Sequence, residues 1–155
     1  MGIDSAALRK VALFESLVPE HLKLIAGIVE EKTFTPSTVI FKDGDAADRF
    51  FFIVSGKVRI SKQIPGVGEE ALAILEAGDY FGEMALIDDS PRSADAITNT
   101  TVVVGSIARA TFEDLLFMNK DLAYDMLWTF VRTLSARLRE TNEKMRAFLV
   151  LAGKF

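Results

Sequence analysis

RFFFIVSGKVRISKQI, residues 49–64, is the stretch that decides what kind of fold this chain adopts. Both halves are short and rich in aromatic and β-branched residues, which suit a pleated strand better than a helix. Ser55-Gly56 between them reads as a turn. In RFFFIVSG the apolar residues fall on both faces, so this strand is expected to be covered on both sides.

The same texture extends in both directions. KTFT, TVIF, EALAIL and TVVVGSIA are further short runs of this kind, beginning at residues 32, 38, 70 and 101. Turn signals separate them: Pro36-Ser37, Asp43-Gly44-Asp45, Pro65-Gly66-Val67-Gly68 and Ala77-Gly78-Asp79. Regularly spaced strands with glycine-rich corners predict a sandwich, barrel or jelly roll over residues 31–110.

Outside this block the period changes. Residues 5 to about 30 read as helix, with Val11, Phe14, Leu17, Val18, Leu22, Ile25, Ala26 and Val29 recurring at three and four. Pro19 breaks that pattern and suits the first turn of a second helix, with Ser16 as a cap nearby. Residues 111–155 are helical again. Thr111, followed by Glu113 and Asp114, reads as an N-cap with first-turn acids. The last helix is expected from near Asp121 to Leu151. Leu127, Val131, Leu134, Leu138, Thr141, Met145, Phe148 and Ala152 alternate spacings of 4 and 3, a heptad seam with one polar position. Such a seam can pack on its own β domain or on a copy of itself. Glu140 and Lys144 form a favourable i,i+4 pair beside it.

Composition narrows the functions. At 155 residues the chain is most simply one domain, 1–155, with half its residues apolar and twelve Phe. A net charge of −4, from 18 basic and 22 acidic residues, argues against nucleic acid as the main partner. With no Cys and a single His, His21, sites built from thiolates or several imidazoles are excluded, and no Ser/His/Asp or Cys/His set is expected. His21 is expected on the surface of its helix. No apolar run reaches the roughly 20 residues of a membrane span. MGIDSA lacks a signal-peptide pattern and has Ala6 where myristoylation needs Ser or Thr. A cytoplasmic protein without membrane contact is expected. Asp43, Asp45 and Asp48 do not make a calcium loop, because Gly44 is misplaced and Val54 stands at the twelfth position; a hairpin turn is expected there. Gly66-Val67-Gly68 is too little for a nucleotide fingerprint.

FGEMALIDDSPRSADA, residues 81–96, fits none of these simple patterns. Gly82 to Ile87 read as one or two helical turns, whose start offers amide donors and partial positive charge. Gly82 lets a ligand approach the backbone closely. Asp88 to Pro91 turn the chain, and Arg92 is expected at the start of a strand, pointing back to the helical turn. The planar fork of Arg92 suits a phosphate. Glu83 would repel a phosphate but can accept from a hydroxyl beside one. A 3′,5′-cyclic nucleotide has one anionic phosphate and a free 2′-hydroxyl. The other reading is that Glu83 and Arg92 simply pair with each other across the loop.

The stretch from Phe81 to Ala94 resembles, without gaps, the phosphate-binding cassette of the cyclic nucleotide-binding domain family, which includes kinase regulatory subunits and catabolite activator-type regulators. The glycine-punctuated β block and flanking helices follow the family's order, so the resemblance covers nearly the whole chain. It implies an antiparallel, jelly-roll-like β-roll flanked by N-terminal helices (1–30) and C-terminal helices. It also implies a ligand site of Phe81, Gly82, Glu83, Met84, Ala85, Arg92, Ser93 and Ala94. Glu83 would accept the ribose 2′-hydroxyl beside the Gly82 amide, Arg92 would pair with the phosphate, Ser93 would bond the phosphate or the base, and Ala94 would close the cup. ARLRETNEKM is similar to the long helix of catabolite activator-type regulators, where polar residues reach the adenine edge. Thr141 and Asn142 occupy those positions. Thr141 is equally readable as a polar seam residue that fixes register.

Two departures stand out. Asp95 replaces the Thr usual in the kinase-type pattern, and an inward carboxylate there would weaken phosphate binding. No helix-turn-helix follows the long helix before Phe155, so direct DNA binding is not expected. The resemblance therefore implies a sensor without catalysis, metal or cofactor, whose ligand is cyclic AMP in preference to cyclic GMP. It would form a homodimer through residues 121–152, and an unidentified protein effector would read movement of the C-terminal helices. The competing readings are a ligand-free dimerisation or adaptor module of the same fold, a cupin-like enzyme, which the lone His opposes, and a DNA-binding regulator, which the acidic charge opposes.

Overall fold

The computed structural model describes residues 3–153. In chain order the elements are α1 (Ser5–Arg9), a 3-10 turn (Ala12–Phe14), α2 (Pro19–Ala26), β1 (Glu30–Phe34), β2 (Val39–Phe41), β3 (Arg49–Ser55), β4 (Val58–Ile64), β5 (Gly68–Leu75), β6 (Tyr80–Phe81), a second 3-10 turn (Glu83–Leu86), β7 (Asp95–Thr98), β8 (Val102–Ala108), α3 (Arg109–Met118) and α4 (Lys120–Leu151). They divide into two compact units, one ending at Met118 and one beginning at Asn119.

In the first unit eight strands form two four-stranded antiparallel sheets, ordered β1-β8-β3-β6 and β2-β7-β4-β5. This is the expected β-roll. Its chain path explains the glycine corners: nearly every connection crosses from one sheet to the other, and only β4 and β5 are joined as a direct hairpin. Asp43-Gly44-Asp45 is therefore not the hairpin turn expected. It links β2 to β3 in the opposite sheet. Ser55-Gly56 makes the next crossing with Gly56 at φ +92°, and a Cβ there would run into the Thr101 carbonyl and Val102. Only glycine turns this tightly against a neighbouring strand.

The central strand β3 is covered on both faces, as its composition requires. Phe51 and Ile53 join Val58, Phe81, Ala96, Val102 and Val104 in the core between the sheets. Phe50 and Phe52 point the other way and meet Phe14 edge-on, at 5.9 and 6.2 Å between ring centroids. The N-terminal segment thus serves as a lid on the outer face of β3. Burying a large apolar side chain stabilises by about 1.5–3 kcal/mol, so each of these rings contributes on that order.

The helical boundaries differ from expectation in detail. Pro19 does open α2, but its N-cap is Val18 with no side-chain bond, so Ser16 does not cap it. Residues 5–30 hold three short helical pieces rather than sustained helix. Thr111 lies inside α3 instead of capping it, because β8 runs straight into the helix and the Arg109 amide is taken by the Asp48 carbonyl at 2.9 Å.

The second unit is α4, 32 residues in one helix, or about 48 Å at 1.5 Å per residue. Leu127, Val131, Leu138, Met145 and Phe148 of the seam are exposed on it. The Glu140–Lys144 pair forms at 3.6 Å. Among the described residues no helix is long and apolar enough to cross a membrane.

Candidate functional site

The site is built where β6 leaves its sheet. Phe81 is held in the core, stacked on Phe51 at 5.2 Å with an interplanar angle of 11°. The next residue, Gly82, takes the left-handed conformation, φ +73° and ψ +19°, and turns the chain directly into the 3-10 turn Glu83–Leu86. The expected helical segment is thus a single tight turn. Its first internal bond runs from the Ala85 amide to the Gly82 carbonyl at 3.1 Å, so the Glu83 and Met84 amides precede it. The Glu83 carboxyl group belongs to a residue only 6% exposed, although it is ionisable.

Arg92 is buried to 8% exposure. It is not at the start of a strand, since β7 begins at Asp95. Its main chain is pinned instead to the turn after β2: the Gly44 amide donates to the Arg92 carbonyl at 2.7 Å, and the Arg92 amide donates to the Asp45 carbonyl at 2.8 Å. This reciprocal pair replaces the ladder that a strand would have supplied.

The guanidinium lies over the Phe41 ring, with Cζ 4.2 Å from the centroid. Nη2 donates to the Arg49 carbonyl at 2.6 Å, and Nη1 makes a long contact of 3.5 Å to the Gly82 carbonyl. Main-chain carbonyls therefore hold both terminal nitrogens of the guanidinium. Nε is buried without a hydrogen-bond partner. Burial draws the Arg92 pKa below the ordinary arginine value, and the carboxylates of Asp48 and Asp45 act in the opposite sense. A cation so held pays a desolvation cost that neutral carbonyls offset only in part. A Cβ at Gly82 would lie 2.5 Å from Arg92 Nη1, so a side chain there would have to displace the guanidinium.

The other expected site residues separate into two groups. Glu83, Ala85 and Ala94 are buried within the cassette, and Phe81 is a core residue whose ring packs on other rings. Met84 and Ser93 are exposed, and the Ser93 carbonyl accepts from Lys62 Nζ at 3.0 Å. Thr141 and Asn142 are exposed residues of α4, in the second unit. Asp95 does not hang free: Oδ1 accepts from the Asp43 amide at 2.8 Å.

Several contributors escape a reading of the sequence. Phe41, Asp45, Asp48, the Arg49 carbonyl and Lys62 all bear on the cassette, yet they come from β2, β3, β4 and the turns between them. The Arg92–Arg49 contact spans 43 residues, beyond any local period. The one available signal was the Asp-Gly-Asp turn, which sequence alone gives only as a turn.

Chemically, the arrangement brings together a desolvated guanidinium with an unpartnered Nε, the start of a 3-10 turn and a buried carboxyl group, a set whose cation suits an anion. A family model described as cyclic nucleotide-binding domain matches residues 31–119. A cAMP-dependent protein kinase regulatory subunit from Colletotrichum orbiculare is 36% identical over 109 residues, 70% of this chain and 27% of that protein. A CRP-like cAMP-activated global transcriptional regulator from Mycobacterium tuberculosis is 28% identical over 138 residues, 89% of this chain and 60% of that protein. The chain thus spans less than two thirds of the length of either relative. The N-terminal domain of a transcriptional regulator from Streptomyces coelicolor A3(2) superposes with a TM-score of 0.79 at 28% identity, covering 90% of this chain and 94% of that one. The chain belongs to the cyclic nucleotide-binding domain family.

Proposed function

We propose that this domain binds a 3′,5′-cyclic nucleotide in the 81–94 cassette and acts as a sensor, with cyclic AMP preferred to cyclic GMP. The observation that carries the reading is Arg92: buried to 8% exposure, stacked on Phe41, with Nε lacking a partner. A singly charged cyclic phosphate supplies the charge and the acceptors such a group lacks. In this reading Arg92 pairs with the phosphate, Ser93 adds a donor at the exposed rim, and Gly82 allows close approach of the backbone. Glu83 accepts the ribose 2′-hydroxyl, which separates its charge from the phosphate. Thr141 and Asn142 contribute to the choice of base, and this assignment rests on the likeness of their segment to catabolite activator-type regulators. Both curated relatives named above are described by their dependence on cAMP, which supports cyclic AMP as the ligand.

No bond is made or broken in this function. Ligand binding shifts the population of C-terminal helical states, a homodimer forms through residues 121–152, and a protein effector reads the result. Calorimetric titration of the purified chain with cyclic AMP, cyclic GMP and 5′-AMP tests the proposal. Saturable one-site binding is expected, strongest for cyclic AMP and weakest for 5′-AMP, which has a different phosphate geometry. A chain that binds neither cyclic nucleotide would refute it.

A further inference from the structure

The residue that departs from the family pattern, Asp95, sits in a small network that joins two segments remote in sequence. Asp95 Oδ1 accepts from the Asp43 amide at 2.8 Å. The Asp43 carboxylate lies 3.5 Å from Lys62 Nζ, and that ammonium also donates to the Ser93 carbonyl at 3.0 Å. Between these side-chain ties run the two main-chain bonds, Gly44 amide to Arg92 carbonyl and Arg92 amide to Asp45 carbonyl. The turn 42–45 is closed on itself by the Lys42 amide donating to Asp45 Oδ2 at 2.9 Å and the Asp45 amide donating to the Lys42 carbonyl at 3.0 Å. Residues 42–45 and 92–95 are therefore clasped along their length, with Asp95 at one end.

We propose that Asp95 is a positioning residue of the nucleotide site, holding the turn at 42–45 that in turn fixes the main chain of Arg92. This inference rests on the cyclic nucleotide reading of the cassette. It opposes the simple expectation that a carboxylate three residues after Arg92 repels the ligand. Oδ1 is directed to the Asp43 amide, and Lys62 places a compensating positive charge on the same two segments. Side-chain length matters here. The carboxylate oxygen of Asp is one atom further from the backbone than the hydroxyl of Thr, the residue usual in the kinase-type pattern. Reach across to a neighbouring turn favours Asp. The Lys62–Asp43 contact is between side chains more than 40% exposed and contributes little by itself. The charge-assisted bond from the Asp43 amide is the stronger tie.

Asp95→Asn and Asp95→Ala separate the two accounts. Asn keeps an acceptor at the same reach and removes the charge, whereas Ala removes both. Titration of cyclic AMP into the full chain should give an Asp95→Asn affinity within about threefold of wild type and an Asp95→Ala affinity weaker by about tenfold. Hydrogen exchange on the ligand-free proteins is the second measurement. The amides of Asp43 and Gly44 should lose protection in Asp95→Ala and keep it in Asp95→Asn. The proposal is overturned if either variant binds more tightly than wild type by more than threefold, if Ala binds as well as wild type, or if Ala leaves the exchange of these amides unchanged. Should Asp95→Ala not fold, Asp95→Asn decides alone: a repelling carboxylate predicts a clear gain on its removal, a clasp predicts none. If wild type binds no cyclic nucleotide, the functional reading fails, while the exchange result still judges the clasp.

Discussion

In the proposed function Arg92 and Glu83 divide the work of a cyclic nucleotide site between charge and hydrogen bonding, so their substitutions should differ in kind. Glu83→Ala leaves a hydroxyl without its acceptor, a loss of ~1–3 kcal/mol. The same loss should appear when wild type is titrated with the 2′-deoxy form of cyclic AMP, and the two losses should not add. Equal binding of the deoxy ligand would remove Glu83 from the ribose. Gly82 makes a different demand. At φ +73°, and with a would-be Cβ 2.5 Å from Arg92 Nη1, Gly82→Ala should cost ~1–2 kcal/mol of stability through backbone strain. It should also displace the guanidinium and weaken nucleotide binding. Denaturant melts read the first effect and titration the second; an Ala variant as stable and as tight-binding as wild type would contradict the geometry.

At the scale of elements, periodicity and turn chemistry made the strands, α2 and α4 legible, because each of those signals is local. RFFFIVSG announced a strand covered on both faces, and β3 is buried on both faces. Pro19 announced the start of α2. The corners were legible as turns but not as crossings between sheets, since nothing local in Asp43-Gly44-Asp45 says which strand comes to lie beside the next. The same limit hid half of the candidate site. Gly82, Glu83 and Arg92 lie in one short stretch and could be named, whereas Phe41, the Arg49 carbonyl and Lys62 meet that stretch only through the fold. Arg92 itself was misplaced onto a strand because its main-chain partners sit in a turn about 47 residues away by number. On α4 the seam read from spacing remains a prediction about association. Leu138, Met145 and Phe148 are exposed along α4, and large apolar side chains gathered on one face mark association surfaces. Leu134→Asp with Leu138→Asp should give a monomer by sedimentation if this face joins two copies. A wild type that sediments as a monomer at high concentration would refute the dimer.

For the whole molecule the property expected is linkage. If a dimer helix contributes to base recognition, dimer geometry and ligand affinity must affect each other by the same free energy. Thr141→Ala with Asn142→Ala should then keep the dimer and narrow the preference for cyclic AMP over cyclic GMP; an unchanged ratio would leave these residues as seam and surface only. Whether Arg92 receives the cyclic phosphate is read by titrating cyclic AMP into wild type and Arg92→Ala side by side, with melting curves to show that both are folded. Removing one side of a buried charge pair costs ~2–5 kcal/mol, so affinity should fall by roughly 30-fold to several thousandfold while the fold persists. A folded Arg92→Ala protein that binds cyclic AMP as tightly as wild type would contradict the account.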